Sequence, residues 1–229
     1  MSESQDSQKA RSILQTVSYF SELDSAALTS IERAAYRSNY DAEQVVLLEG
    51  EPCSGLYIVE NGWLKASKIG VDGREQVLQM FGVNDVFNAI SVFTDAPNQA
   101  TVTALETSTV WMVRREVLVK LMEEHPSLVR QVVKNLAGRV QHLIRMVEDL
   151  SLRSVEARLA RLLLEQAEGE SVTRRRWATQ AEMASRIGTV QDVLNRALRK
   201  LAEEGVIRVE RHQIQILDPK GLELKSKSG

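Results

Sequence analysis

Along the chain the spacing of apolar residues changes twice. From 8 to 36 it is helical and broken, with Ile13, Leu14, Val17 and Phe20, then Leu23, Leu28 and Ile31, which predicts short helices. From Val45 it becomes short apolar runs parted by turn residues: VVLL, a turn over Gly50 to Gly55, LYIV, Glu60-Asn61-Gly62, WLKASKI, Val71-Asp72-Gly73, QVLQMF, a loop over Gly82 to Asp85, TVTAL and TVWMV. Strands of this length, with Asn-Gly and Asp-Gly punctuation at about ten-residue spacing, predict an antiparallel sandwich or barrel over 43–113 with a short helix between Phe87 and Phe93. Helical spacing returns from Arg114 to Glu124, runs on from Pro126, and resumes at Val155, Leu159, Leu162 and Leu163. Ser151 to Ser154 is expected to be a hinge, and 168–176 a polar linker or tight loop.

The stretch from Pro126 to Leu150 carries a seven-residue repeat. Val133, Val140 and Val147 fall at one heptad position and Val129, Leu136, Leu143 and Leu150 at the other. β-Branched residues at the first and Leu at the second favour two parallel strands, so this seam is expected to join two copies of the chain. Twenty-five helical residues run roughly 37 Å at 1.5 Å per residue, long enough to link two domains as well. Ala137, Ile144 and Met146 widen the stripe, so one flank can pack on its own subunit.

Residues 179–217 hold the most informative chemistry. Thr179 followed by Glu182 reads as a capping box, and Thr189 followed by Asp192 as a shorter one, so two helix starts lie ten residues apart. Ile187-Gly188 between them supplies the tight turn of a helix-turn-helix. In the second helix Val190, Leu194, Ala197, Leu198 and Leu201 form the expected buried stripe, and Gln191, Asp192, Asn195, Arg196 and Arg199 the opposite face. Arg pairs with guanine, Gln or Asn with adenine, and a carboxylate accepts from cytosine, so Gln191, Asp192, Asn195 and Arg196 are candidate base readers. IRVERHQIQI then reads as a two-stranded wing turning at Arg211-His212. Thr179, Arg174, Arg175, Arg176, Arg199 and Arg211 are the candidate phosphate contacts, with Arg186 and Lys200 beside them.

Charge agrees with this placement. Residues 1–150 hold 14 Lys+Arg against 20 Asp+Glu, and residues 151–229 hold 15 against 11, so the net −2 hides an acidic front and a basic back that suits a polyanion. No run of 18 apolar residues and no signal-peptide pattern is present, so a cytoplasmic protein without a membrane segment is expected. Cys53 is the one cysteine, which argues against a disulfide, a zinc site or an iron–sulfur cluster. No nucleophile–base pair, phosphate loop or metal-ligand spacing points to an enzyme, and neither catalytic nor metal residues are assigned.

With these residues in place, the chain resembles the CRP/FNR superfamily of bacterial transcription regulators over nearly its whole length. GEPCSGLYIVENGWLKASKIGVDGREQVLQMFGVNDVF looks like that family's effector-binding β-roll, followed by its dimerisation helix and winged helix. The resemblance implies an α+β fold: an antiparallel β-roll of the cyclic-nucleotide-binding type in residues 1–125, a dimerisation helix at 126–150 and a winged helix-turn-helix at 151–229. It also implies that Arg196 reads guanine, that Asp192 stands where the family usually has Glu and reaches less far, and that RNA polymerase is a partner.

The family's cyclic-nucleotide cassette has Gly-Glu-Leu for the ribose and, about ten residues on, Arg-Ser for the phosphate. Here stand Asn88-Ala89-Ile90 and Asn98-Gln99, and on the long helix Leu143 and Ile144 replace hydroxyls that would meet adenine. A buried phosphate needs a charge-assisted partner, so cyclic AMP is not expected. These seven positions would line the effector pocket if there is one. No cofactor is expected. A haem gas sensor is the alternative effector reading, though His125, His142 and His212 all lie outside the β-roll. The sequence therefore points to a homodimeric regulator reading near-palindromic double-stranded DNA. A protein-binding scaffold with a winged helix that has left DNA is the rival.

Overall fold

Leu56 and Ile58 face one way from their strand and Tyr57 and Val59 the other, yet all four are buried, because both faces of that strand are covered. The computed structural model describes residues 2–167, 169, 171–173, 177–210 and 213–227. They form two compact units, residues 1–68 with 79–141 and residues 69–78 with 142–229.

The β-rich part runs from helices α1 (Ser2–Thr16) and α2 (Ser25–Ala34) through strands β1 (Ala35–Tyr40), β2 (Val45–Leu47), β3 (Gly55–Asn61), β4 (Leu64–Ile69), β5 (Glu75–Phe81) and β6 (Val86–Phe87). Helix α3 (Ala89–Thr94), strands β7 (Thr101–Ala104) and β8 (Ser108–Arg114) and helix α4 (Arg115–Glu124) complete it. Two four-stranded sheets result, ordered β1-β8-β3-β6 and β2-β7-β4-β5. Tyr57, Val59, Leu64, Phe81, Phe87 and Val110 fill the space between them, with Tyr57 stacked on Phe87 at 5.0 Å between ring centroids. The outer face of the first sheet packs Leu56, Ile58, Trp111 and Val113 against Leu14, Phe20 and Ile31 of the N-terminal segment and Leu118 of α4. The predicted Asn61-Gly62 turn is present. Gly62 has φ +93°, and a Cβ there would lie 2.2 Å from Ser108 Oγ, so this turn requires glycine.

One strand contradicts the sequence reading. Residues 35 and 36 were expected to end a helix, and instead they open β1, which pairs antiparallel with β8 from Ala35↔Val113 to Tyr40↔Ser108. This edge strand is half exposed, so AYRSNY shows no apolar alternation to announce it.

Helix α5 (Pro126–Leu152) matches the predicted long helix and extends it by two residues. Leu128 and Val132 are buried and Leu136 packs on the same core. Arg139 donates to Gln79 Oε1 at 3.0 Å and to the Val86 carbonyl, so within the first unit α5 is also held to the β-sheets by a charged group. The helix ends where the hinge was expected. Ser154 caps the next helix, α6 (Val155–Gln166), by accepting from Ala157 N at 3.2 Å.

The second unit continues with β9 (Ser171–Thr173), α7 (Gln180–Arg186), α8 (Gln191–Glu203), β10 (Ile207–Val209), β11 (Gln213–Ile216) and α9 (Pro219–Ser226). Its core joins Leu159 and Leu163 of α6 to Met183, Leu194, Leu198, Leu201, Ile207, Ile214 and Leu222. The wing has three strands, ordered β10-β11-β9, where two were predicted. The extra strand, β9, lies in the segment read as a linker, and its pairing with Gln213 to Gln215 decides its conformation. Helix α9 was not predicted, although Asp218 caps it through Gly221 N at 3.0 Å and Pro219 opens it. Among the described residues no helix is long and apolar enough to cross a membrane.

Candidate nucleic-acid interface

Two short helices and their turn form this site. Thr179 Oγ1 accepts from Glu182 N at 3.1 Å, which caps α7, while Thr179 N bonds the Trp177 carbonyl. Helix α7 closes at Ile187, and Gly188, with φ +64°, turns the chain into α8. A Cβ at Gly188 would lie 2.5 Å from Leu150 Cδ2 and 3.2 Å from an Arg158 nitrogen. Arg158 of α6 donates to the carbonyls of Ile187 at 2.5 Å and Gly188 at 3.5 Å, so a guanidinium neutralises the carbonyl end of α7 and fixes the turn. Burial holds the Arg158 pKa below its ordinary value, against the smaller opposing pull of Asp149. Nothing in the sequence spacing singled out Arg158.

The second helix start differs from the expected one. Residue Val190, not Thr189, is the N-cap of α8, and no side chain caps it; Thr189 N is taken by the Ala184 carbonyl at 2.9 Å. The expected Thr189/Asp192 box is therefore absent. Val190 also leaves the predicted buried stripe: it is 45 % exposed, while Leu194, Ala197, Leu198 and Leu201 are buried as expected. The stripe begins one turn later because the N-cap residue is not yet on the helix.

The opposite face of α8 presents Gln191, Asp192, Arg196 and Arg199 to solvent, with Asn195 half buried. Gln191 Nε2 donates to Gln180 Oε1 at 3.3 Å, which orients its amide from the neighbouring helix. Gln180, Asn195, Leu198, Arg199, Ala202 and Val209 line a shallow groove of about 280 Å³ between α8 and the wing.

Two further candidate phosphate contacts have carboxylate neighbours. Arg186 is half buried and turned toward Glu182 and Glu165; burial lowers its pKa and the two carboxylates oppose that. Lys200 gives its ammonium to both oxygens of Glu156, at 2.7 and 2.8 Å, and this pairing raises its pKa. Thr179 and Arg199 are exposed. Arg174, Arg175, Arg176, Arg211 and His212 lie outside the described residues.

Two of the expected effector positions, Asn88 and Asn98, form a hydrogen-bonded pair in the first unit. Asn88, with φ 67°, donates from Nδ2 to the Gly55 carbonyl and to Asn98 Oδ1, both at 3.1 Å, and reaches Cys53 Sγ at 3.4 Å. Asn98 is buried and donates to the Leu48 carbonyl at 3.2 Å. Ala89 is buried, and Ile90 and Gln99 are exposed. Arg115, a cation on the same unit, is engaged by the Val92 carbonyl at 2.9 Å and Asp95 at 3.1 Å. Burial pushes the Cys53 thiol above its ordinary pKa. Leu143 and Ile144 are exposed on α5. His125 ends α4, and His142 lies 3.2 Å from the Leu78 carbonyl.

The heptad seam is open to solvent over most of its length. Val133, Val140, Leu143, Val147 and Leu150 are 40–63 % exposed, whereas Val129 and Leu136 are half buried.

Comparison with known proteins agrees with this arrangement. Residues 37–125 match the cyclic nucleotide-binding domain and residues 157–224 the Crp-like helix-turn-helix domain. The chain is 27 % identical over 216 residues to a CRP-like cAMP-activated global transcriptional regulator of Mycobacterium tuberculosis, covering 92 % of this chain and 96 % of that protein. It is 28 % identical to a probable transcriptional regulator, flp, of Lacticaseibacillus casei, covering 93 % and 98 %. A solved CRP/FNR-family regulator from Eubacterium rectale superposes with a TM-score of 0.78 at 21 % identity, covering 93 % of this chain and 100 % of that one, a likeness of fold. Sensor-type sheets, a long helix and a winged helix in this order, with both domain families matched in place, make the chain a member of the CRP/FNR family of DNA-binding transcription regulators.

Proposed function

We propose that this regulator works as a homodimer on a near-palindromic operator and is not switched by cyclic AMP. In this reading residues 1–125 form the sensor, 126–150 the dimerisation helix and 151–229 the DNA-binding domain. Gln191, Asp192, Asn195 and Arg196 read bases, and Thr179 and Arg199 hold phosphates together with Arg174, Arg175, Arg176 and Arg211. The protein acts in the cytoplasm, and on the family resemblance RNA polymerase is its second partner.

The observation that carries the cyclic-AMP part is the Asn88–Asn98 pair. Both amides are spent on each other and on backbone carbonyls, and neither position offers the charge that a buried cyclic phosphate requires. The exposed Val and Leu seam of α5 supports the dimer, since five large apolar side chains in one row are stabilised by a second copy.

The description of the Mycobacterium tuberculosis relative favours a second reading, activation by cyclic AMP. Calorimetric titration of the nucleotide into the purified protein separates the two. The first reading predicts no saturable heat up to about 1 mM ligand, a threshold equivalent to roughly −4 kcal/mol of binding. Saturation in the micromolar range would establish the second.

A further inference from the structure

Val190 holds a position where two local choices run against stability. At the N-cap of a helix a hydroxyl or carboxamide would satisfy an open N–H, and this chain places a valine there with no side-chain cap. The residue is 45 % exposed. The backbone around it is nonetheless fixed: the Val190 carbonyl accepts from Val193 N and Leu194 N, both at 3.1 Å, and Thr189 N is bonded to the Ala184 carbonyl. The next two side chains, Gln191 and Asp192, are the exposed polar groups that open the reading face. A β-branched side chain also has few rotamers to lose on contact.

One exposed valine is ordinary on a protein surface, but this one begins the helix that meets the major groove. That groove offers donors, acceptors and one apolar feature, the 5-methyl group of thymine. Resting on the operator-reading function above, we propose that Val190 is a specificity residue whose isopropyl group packs on a thymine methyl, beside the base pairs read by Gln191 and Asp192. The operator half-site then contains a thymine that no hydrogen-bonding side chain of α8 accounts for.

The test uses the full-length protein and the site recovered by selection from random duplexes. Each thymine of one half-site is replaced in turn by deoxyuridine, which keeps every hydrogen-bonding group and removes only the methyl. Affinity is read by fluorescence anisotropy at one fixed salt concentration. The wild-type protein is expected to lose about fourfold at one thymine, the worth of one buried methyl-sized group. In Val190→Ser and Val190→Ala the same replacement should change affinity less than twofold. Ser is a good N-cap, so that variant should melt no lower than the wild type and report on the contact rather than on folding. A flat deoxyuridine scan for the wild type, or an undiminished penalty in both variants, overturns the assignment of Val190 and leaves the operator function intact. Failure of the selection to return any site overturns that function, and this inference with it.

Discussion

Arg196 is exposed on the face of α8 opposite Leu194, Leu198 and Leu201, where a guanidinium can meet guanine O6 and N7 together. Replacing it with Ala should raise the operator binding free energy by about 1–3 kcal/mol and relax one guanine position. Binding curves on operator duplexes varied one base pair at a time check this, and an equal loss on all sequences would remove Arg196 from base reading. Residue type made this face legible, because the side chains that pair with bases are few. Direction was less legible. Arg186 and Lys200 have the same charge as Arg199, yet one turns inward to Glu182 and Glu165 and the other is held by Glu156, 44 positions earlier in the chain. Partners that distant leave no trace in local spacing. Val190 was misplaced for a different reason: its spacing from Leu194 fits a stripe, but the turn at Gly188 leaves it at the N-cap, one residue before the helix.

Elements with a strong local period were legible in the sequence and those fixed by pairing were not. The α5 repeat, the Asn61-Gly62 turn and the α7–α8 turn each follow from residues a few positions apart. Strands β1 and β9 take their conformation from β8 and β11, and neither AYRSNY nor the polar segment around Ser171 carries an apolar alternation. Helix α9 did carry its signal, Asp218 before Pro219 with Gly221 to receive the cap, in a tail whose one buried apolar residue is Leu222.

The seam of α5 carries a prediction of its own. Val140 is 55 % exposed in the single chain, so Val140→Asp should leave each chain folded. In a two-stranded seam the same carboxylate would be buried without a partner, which costs several kcal/mol and should convert the dimer to a monomer at micromolar concentration. Sedimentation of the wild type and the variant reads this directly. Identical dimers in both would show that the subunits meet elsewhere.

On the scale of the whole molecule three features stand together: an exposed heptad seam, a polar face on α8, and an Asn88–Asn98 pair closed by its own hydrogen bonds. Two recognition helices held by one seam must meet successive major grooves about 34 Å apart, so the half-sites should repeat at one helical turn and be related by a two-fold axis. The acidic front and basic back of the chain should favour DNA contact through residues 151–229. Selection of random duplexes against the purified protein at near-physiological salt, with and without cyclic AMP, tests this most directly. Enrichment of the same two-fold symmetric site in both is the expected result. Enrichment that requires the nucleotide would contradict it.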